Sequence, residues 1–187
     1  MKHAFTRDIL LCNEAFQKCD ELIKEIETHH TYQKAILSNK NEDYLDESRN
    51  NSVIAIHHTA SPLLLTLMKE VHATIQQGII LYQKYNPFMQ ASQSLGFDLL
   101  KYEIGEKFHQ HVDLVPGHKV FGKRQLSVLI YLNDDYQGGE TQFIRQELEL
   151  KPPKGSLALF PPFYTHPHSS LPITQGTKKI LVSWVDQ

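Results

Sequence analysis

From Phe97 onward the apolar residues of this chain recur at every second position, and turn residues interrupt them at short intervals. That spacing builds short strands and closes them into an all-β barrel or sandwich. Between Gln125 and Asn133, Leu126, Val128, Ile130 and Leu132 fall on one strand face. Ser127, Leu129 and Tyr131 fall on the other. The first face needs an apolar cover, and the second then lines the interior. In Lys178–Trp184, Lys178 shares a face with Ile180, Val182 and Trp184. A cation turned into an apolar interior is costly unless it is paired. The sequence places no acidic residue to meet it, so a bound anion is the expected partner.

The cover comes from the N-terminal half. Phe5, Ile9, Cys12, Phe16, Cys19, Ile23 and Ile26 alternate spacings of four and three, which predicts one helix over residues 6–29. Ser61-Pro62 is a helix start, a capping side chain followed by proline at the first helical position. Leu64, Met68, Val71, Ile75, Ile79 and Tyr82 continue it at helical spacing, and Asn86-Pro87 ends it. Residues 36–52 are polar and read as a loop, and Ser52–His57 reads as a strand. The expectation is a single domain over residues 1–187, with 1–95 mainly helical support and 96–187 carrying the strands and the chemistry.

Composition excludes several classes of function. Net charge is −2 with no basic stripe, which argues against duplex nucleic acid as a partner. No apolar run approaches a membrane span, and Ile9-Leu10-Leu11 is too short for a secretory signal. The two cysteines, Cys12 and Cys19, would lie about 10.5 Å apart along one helix, too far for a disulfide. Buried thiols and a cytoplasmic location are expected.

The chemistry centres on His111-Val112-Asp113. Residues i and i+2 of a strand point to one face, roughly 6.6 Å apart, so an imidazole and a carboxylate can converge on one metal. A third ligand must come from elsewhere, and Thr165-His166-Pro167-His168 offers two histidines. Two His and one carboxylate make the facial triad of non-haem Fe(II) oxygenases. The same pair could also be two solvated residues on a strand. His29, His30, His57, His58 and His72 have no motif around them, and His109 and His118 only flank one.

The surrounding residues form a wider pattern. Tyr102-Glu103-Ile104-Gly105 precedes the His-x-Asp pair, and Tyr131-Leu132-Asn133 and Gly138-Gly139-Glu140-Thr141-Gln142-Phe143 follow it. Pro172 and Gly176 follow His168, Lys178 lies ten residues beyond it, and Trp184 closes the pattern. Over about Phe97–Val185 the chain resembles the prolyl 4-hydroxylase-type 2-oxoglutarate/Fe(II) dioxygenases. Arg49-Asn50-Asn51-Ser52 resembles them loosely, and Lys179 departs where relatives carry an aromatic.

The resemblance implies an all-β core with supporting helices, a double-stranded β-helix or jelly roll with N-terminal α-helices packed on the sheet. It implies His111, Asp113 and His168 as iron ligands, the ten-residue step to Lys178 selecting His168 over His166. It implies Lys178 as the anchor of 2-oxoglutarate, with Tyr102, Tyr131 and Thr141 around that cosubstrate. The cofactors implied are Fe(II), 2-oxoglutarate and O2, with ascorbate as reductant. The activity implied is hydroxylation of an unactivated C–H, foremost at a prolyl residue of a peptide or protein. A free amino acid or other small molecule is the alternative substrate, and a non-enzymatic metal- or ligand-binding jelly roll the alternative class. Gly138-Gly139 reads as a turn needing positive φ. Trp184 reads as an inner-wall residue, and Arg124 and Arg145 either meet substrate or face water. Residues 38–51 are expected to form a lid over a bound peptide. The oligomeric state is not read.

Overall fold

The computed structural model describes residues 2–38, 43–44, 47–56, 61–90, 93–114, 117 and 121–186. The first strands are β1 (His3–Thr6) and β2 (Ile9–Cys12), followed by helix α1 (Cys19–His29). Short strands β3 (Gln33–Lys34), β4 (Leu37–Ser38) and β5 (Asp43–Tyr44) lead to β6 (Ser52–Ile56) and helix α2 (Pro62–Tyr85). The remainder is strand: β7 (Gln93–Tyr102), β8 (Phe108–His111), β9 (Arg124–Tyr131), β10 (Gln137–Gly138), β11 (Thr141–Phe143) and β12 (Leu148–Leu150). It ends with β13 (Leu157–Phe160), β14 (His168–Ser170), β15 (Ile173–Gln175) and β16 (Lys178–Asp186).

Eight strands form one sheet in the order β1-β2-β13-β9-β16-β7-β6-β3. Four form a second, β12-β11-β14-β8, and β10-β15 and β4-β5 pair separately. Every pairing between named strands is antiparallel. The fold is the expected jelly roll with helices on its outer face, and its core divides by strand parity. Leu126, Val128, Ile130 and Leu132 of the β9 segment join Leu64, Leu67, Val71 and Ile75 of α2 in one apolar cluster. Leu129 and Tyr131 join Tyr102, Phe143, Phe160, Ile180 and Val182 in a second, which lies toward the smaller sheet.

Helix α2 begins as its sequence dictates. Ser61 accepts a hydrogen bond from the Leu64 amide at 3.0 Å, and Pro62 opens the first turn. Gly78 lets this helix lie close on β13. A Cβ there would stand 2.6 Å from Leu157 Cδ2 and 2.8 Å from Leu159 Cδ1, so any larger residue would push those leucine side chains aside.

The helix expected over 6–29 is a hairpin followed by a shorter helix. Thr6 pairs with Ile9, and the turn between them holds Arg7 at φ 50° and Asp8 at φ 60°. Positive φ at both central residues is the geometry of a two-residue hairpin turn, more often made by Asn-Gly. Strand β2 then pairs with β13, so the half expected to be mainly helical supplies β1, β2, β3 and β6 to the large sheet. Cys12 and Cys19 therefore sit in different elements. Both are free and buried, and burial pushes each thiol up to about 11.

The polar stretch 36–52 is not one plain loop. Leu37–Ser38 pairs with Asp43–Tyr44, and Arg49 bridges to Phe108 of β8. Residues 39–42 and 45–46, the centre of the expected lid, lie outside the described residues, as do His57, His58 and His118. No described helix is long and apolar enough to cross a membrane.

Candidate metal centre and cosubstrate pocket

Strand pairing brings the histidines together. His111 ends β8, His168 begins β14, and the two are cross-strand partners. Asp113 follows just past β8, where its amide and that of Leu114 donate to the Pro162 carbonyl oxygen at 3.1 and 3.0 Å. One ligand atom from each of His111, Asp113 and His168 lies within 4.8 Å of the others. The Nε2 atoms of His111 and His168 stand 3.5 and 3.7 Å from the two Asp113 carboxylate oxygens.

The hydrogen bonds fix which nitrogens are available. His111 Nδ1 lies 2.8 Å from the His109 carbonyl oxygen, and His168 Nδ1 lies 3.1 Å from that of His166. A carbonyl oxygen only accepts, so each Nδ1 carries a proton and Nε2 is the nitrogen left to bind a metal. Burial, reinforced by His111, lowers the His168 pKa to about 4 against the pull of Asp113. Burial works against ionisation of Asp113, but His168, His111 and the Ser127 hydroxyl together hold it well below the usual carboxylate range. Two neutral imidazoles and a carboxylate are the protonation states a divalent metal requires. The donor set fits Fe(II), with positions left for other ligands.

His166 is elsewhere. Its Nε2 lies 2.9 Å from the Arg7 carbonyl oxygen and its Nδ1 3.0 Å from Thr165 Oγ1, so both ring nitrogens are engaged away from Asp113.

The second half of the site is built around a buried cation. Lys178 is 1 % exposed. Its Nζ donates to the Gly139 carbonyl oxygen at 2.7 Å and to Ser170 Oγ at 3.1 Å. It also lies 5.4 and 5.8 Å from the ring centres of Tyr102 and Tyr131. Burial among these neutral groups brings its pKa down to about 7, with Glu140 partly offsetting. Tyr131 donates to Thr141 Oγ1 at 2.8 Å, and both are buried. Tyr102, Tyr131 and Thr141 thus share the interior with Lys178. Ser170 lies two residues along β14 from His168, roughly 6.6 Å by strand rise. The buried cation and the metal donors thus meet on one strand, and a cation beside a metal donor set suits the chemistry of 2-oxoglutarate.

Gly138 and Gly139 make this arrangement possible. Their φ values are 71° and 68°, as the turn reading expects. A Cβ at Gly138 would stand 2.3 Å from the Pro172 carbonyl oxygen, and one at Gly139 2.3 Å from Ile173 Cδ1. Only glycine lets this turn press on β15 while Gly139 offers its carbonyl to Lys178.

Several residues of the centre were not picked out by sequence reasoning. Ser127 donates to Asp113 Oδ2 at 2.5 Å. Arg124 is buried, donates to the Asp113 carbonyl oxygen at 2.7 Å and lies 3.6 Å over the Trp184 ring. Parity along β9 groups Arg124 with Leu126, on the helix side, but the β16–β9 register shifts beside Arg124. Lys179, the departure from the motif, has its own local reason: Nζ is 2.7 Å from Glu27 Oε1 of α1.

Residues 97–186 match the family described as the 2OG-Fe(II) oxygenase superfamily. Procollagen-lysine,2-oxoglutarate 5-dioxygenase 1 of Mus musculus is 31 % identical over 174 residues, covering 90 % of this chain and 22 % of the relative. The chain thus spans about a fifth of the length of that relative. A probable prolyl 4-hydroxylase of Arabidopsis thaliana is 29 % identical over 119 residues, 50 % of this chain and 41 % of the relative. Among solved structures, a Trichoplax adhaerens prolyl hydroxylase in complex with a hypoxia inducible factor peptide superposes with TM-score 0.76 at 13 % identity, covering 97 % of this chain and 84 % of that one. A Pseudomonas putida prolyl-4-hydroxylase gives TM-score 0.70 at 17 % identity, covering 97 % and 94 %. At these identities the structures establish the fold.

Proposed function

We propose that the protein is a 2-oxoglutarate-dependent hydroxylase of prolyl residues in a peptide or protein, a reading supported by the match of residues 97–186 to the 2OG-Fe(II) oxygenase superfamily. The observation that carries the reading is the pairing of the His111–Asp113–His168 donors with the buried Lys178, whose hydrogen-bond acceptors are neutral. A metal-binding jelly roll without enzymatic activity has no use for that lysine. When bound, Fe(II) supplies the oxidation of an unactivated C–H by O2, with 2-oxoglutarate converted to succinate and CO2.

The chain's own residues supply binding, orientation and dryness. His111, Asp113 and His168 hold the metal, their protons kept on Nδ1 by the His109 and His166 carbonyls. Lys178 fixes the far carboxylate of 2-oxoglutarate, so the 2-oxo acid end is directed at the metal. Tyr102, Tyr131 and Thr141 wall that pocket, and the Tyr131–Thr141 hydrogen bond holds the phenol in place. Apolar neighbours Phe143, Phe160 and Ile180 exclude water and strengthen the Lys178 contact. Ascorbate as reductant is part of the same proposal. So is a reducing, cytoplasmic compartment, which the free thiols of Cys12 and Cys19 support.

The relatives named above cover both lysyl and prolyl chemistry. The prolyl choice is supported by the two prolyl hydroxylases among the solved structures whose fold this chain shares. The test is mass spectrometry of matched peptides with Fe(II), 2-oxoglutarate and O2. A gain of one oxygen on the proline peptide supports the proposal. A gain on the lysine peptide alone, or on a free amino acid alone, overturns the substrate assignment.

A further inference from the structure

The two histidines of the centre are restrained differently. His168 is buried, with the rings of Phe160 and Phe143 at 4.8 and 5.7 Å between centroids. The core therefore limits its rotation. His111 ends β8, the outermost strand of the smaller sheet, and its side chain is 21 % exposed. A ligand on a sheet edge needs a restraint of its own.

Beyond the His109 carbonyl, that restraint is a stack. The Phe108 ring lies on the His111 ring with centroids 3.6 Å apart and planes 14° apart. The Arg49 guanidinium lies over the Phe108 ring, 4.8 Å from its centroid. With one face of Phe108 covered by imidazole, the guanidinium has the other. Arg49 is itself tethered: Nη1 donates to the Ile36 carbonyl oxygen at 3.0 Å, and Nε to Asn51 Oδ1 at 3.4 Å. The segment beneath it is bonded to β8 and to Lys107, the residue before it, in three places. His109 N donates to the Ser48 carbonyl oxygen at 2.7 Å, Lys107 N to Asn50 Oδ1 at 2.8 Å, and Asn50 N to the Lys107 carbonyl oxygen at 3.4 Å. The segment 48–50 thus covers the free edge of β8 and delivers a cation to the outer face of the stack.

We propose that Arg49 is a positioning residue for the metal centre, acting through the Phe108 ring to hold the His111 imidazole in its metal-binding orientation. It is not one of the three metal donors. Ligands held by a locked supporting group bind metal more tightly than ligands free to turn. The inference rests on the reading of His111, Asp113 and His168 as a metal site.

The test is titration of the purified, metal-free full chain with Co(II), followed by its visible absorption. Arg49→Met should weaken Co(II) binding by about two- to thirty-fold, the range of a cation–π contact. Phe108→Leu should weaken it at least as much, and Phe108→Tyr, which keeps the ring, should restore it. Because Arg49 acts through Phe108, the double variant Arg49→Met/Phe108→Leu should be no weaker than Phe108→Leu alone. Circular dichroism of each metal-free variant identifies any that fail to fold. Arg49→Met, which replaces a half-buried side chain, carries the test if Phe108→Leu does not fold. Unchanged Co(II) affinity in folded Arg49→Met overturns the proposal, as do additive losses in the double variant. Wild-type protein that binds no Co(II) overturns the metal site itself, a distinct result.

Discussion

Lys178 Nζ lies 2.7 Å from the carbonyl oxygen of Gly139, in an interior where its other hydrogen-bond partner, Ser170, is also uncharged. A buried cation held by neutral acceptors is a site waiting for an anion. Replacing it with methionine keeps the bulk and removes the charge. Lys178→Met should therefore weaken 2-oxoglutarate binding by about thirty- to several-thousand-fold, the cost of truncating one side of a buried charge pair. Metal affinity should persist, because Lys178 is not a ligand. Calorimetric titration of both ligands checks this.

The same lysine predicts a pH dependence. Its folded pKa is lowered by burial to about 7, against 10.5 ordinarily. Below pH 7 the pocket holds the charged form, so 2-oxoglutarate affinity should be flat with respect to this group. As pH rises above 7 the free protein loses that proton, and affinity should fall by up to about tenfold per unit. Stability of the ligand-free protein runs the other way. Between about pH 7 and 10.5 the unfolded chain keeps the proton and the folded chain does not, so stability rises with pH through that window. Both trends should vanish in Lys178→Met.

His166 and His168 make a clean pair of controls. His168 Nε2 faces Asp113 at 3.7 Å, while His166 Nε2 faces the Arg7 carbonyl oxygen at 2.9 Å. His168→Ala should abolish metal binding and turnover, as should His111→Ala and Asp113→Ala. His166→Ala should keep Fe(II) binding and instead lower the melting temperature, since it removes a buried bond to the β1–β2 turn. Equilibrium dialysis with thermal melts separates the two.

Ser127→Ala removes the hydroxyl that donates to Asp113 Oδ2 at 2.5 Å. A carboxylate deprived of its supporting donor orients poorly, and such losses cost about ten- to a hundred-fold in metal affinity. Ser127→Thr keeps a hydroxyl and should recover part of the loss. Metal titration of the two variants reads this directly.

The parts legible in the sequence are those governed by local rules. Period-two alternation turned Lys178 inward, and the structure finds it 1 % exposed. Ser61-Pro62 marked the start of α2, and the ten-residue step to Lys178 selected His168 over its neighbour. What escaped depended on irregular backbone or distant partners. The first strands were hidden because Phe5, Ile9 and Cys12 also satisfy a helical spacing, and Arg7-Asp8 lacks the usual signature of its turn. Arg124 was hidden by the register shift that breaks strand parity beside it. Arg49 meets Phe108 across a pairing that no periodicity announces.

The central claim is that His111, Asp113 and His168 hold an iron that couples 2-oxoglutarate oxidation to hydroxylation of a peptide. The most direct measurement is succinate formed from 2-oxoglutarate by metal-depleted protein, with and without added Fe(II), and with and without proline-containing peptides. The account predicts succinate only with Fe(II), stimulated by peptide, absent in His168→Ala and retained in His166→Ala. Succinate formation that is indifferent to Fe(II), or equal in wild type and His168→Ala, would contradict it.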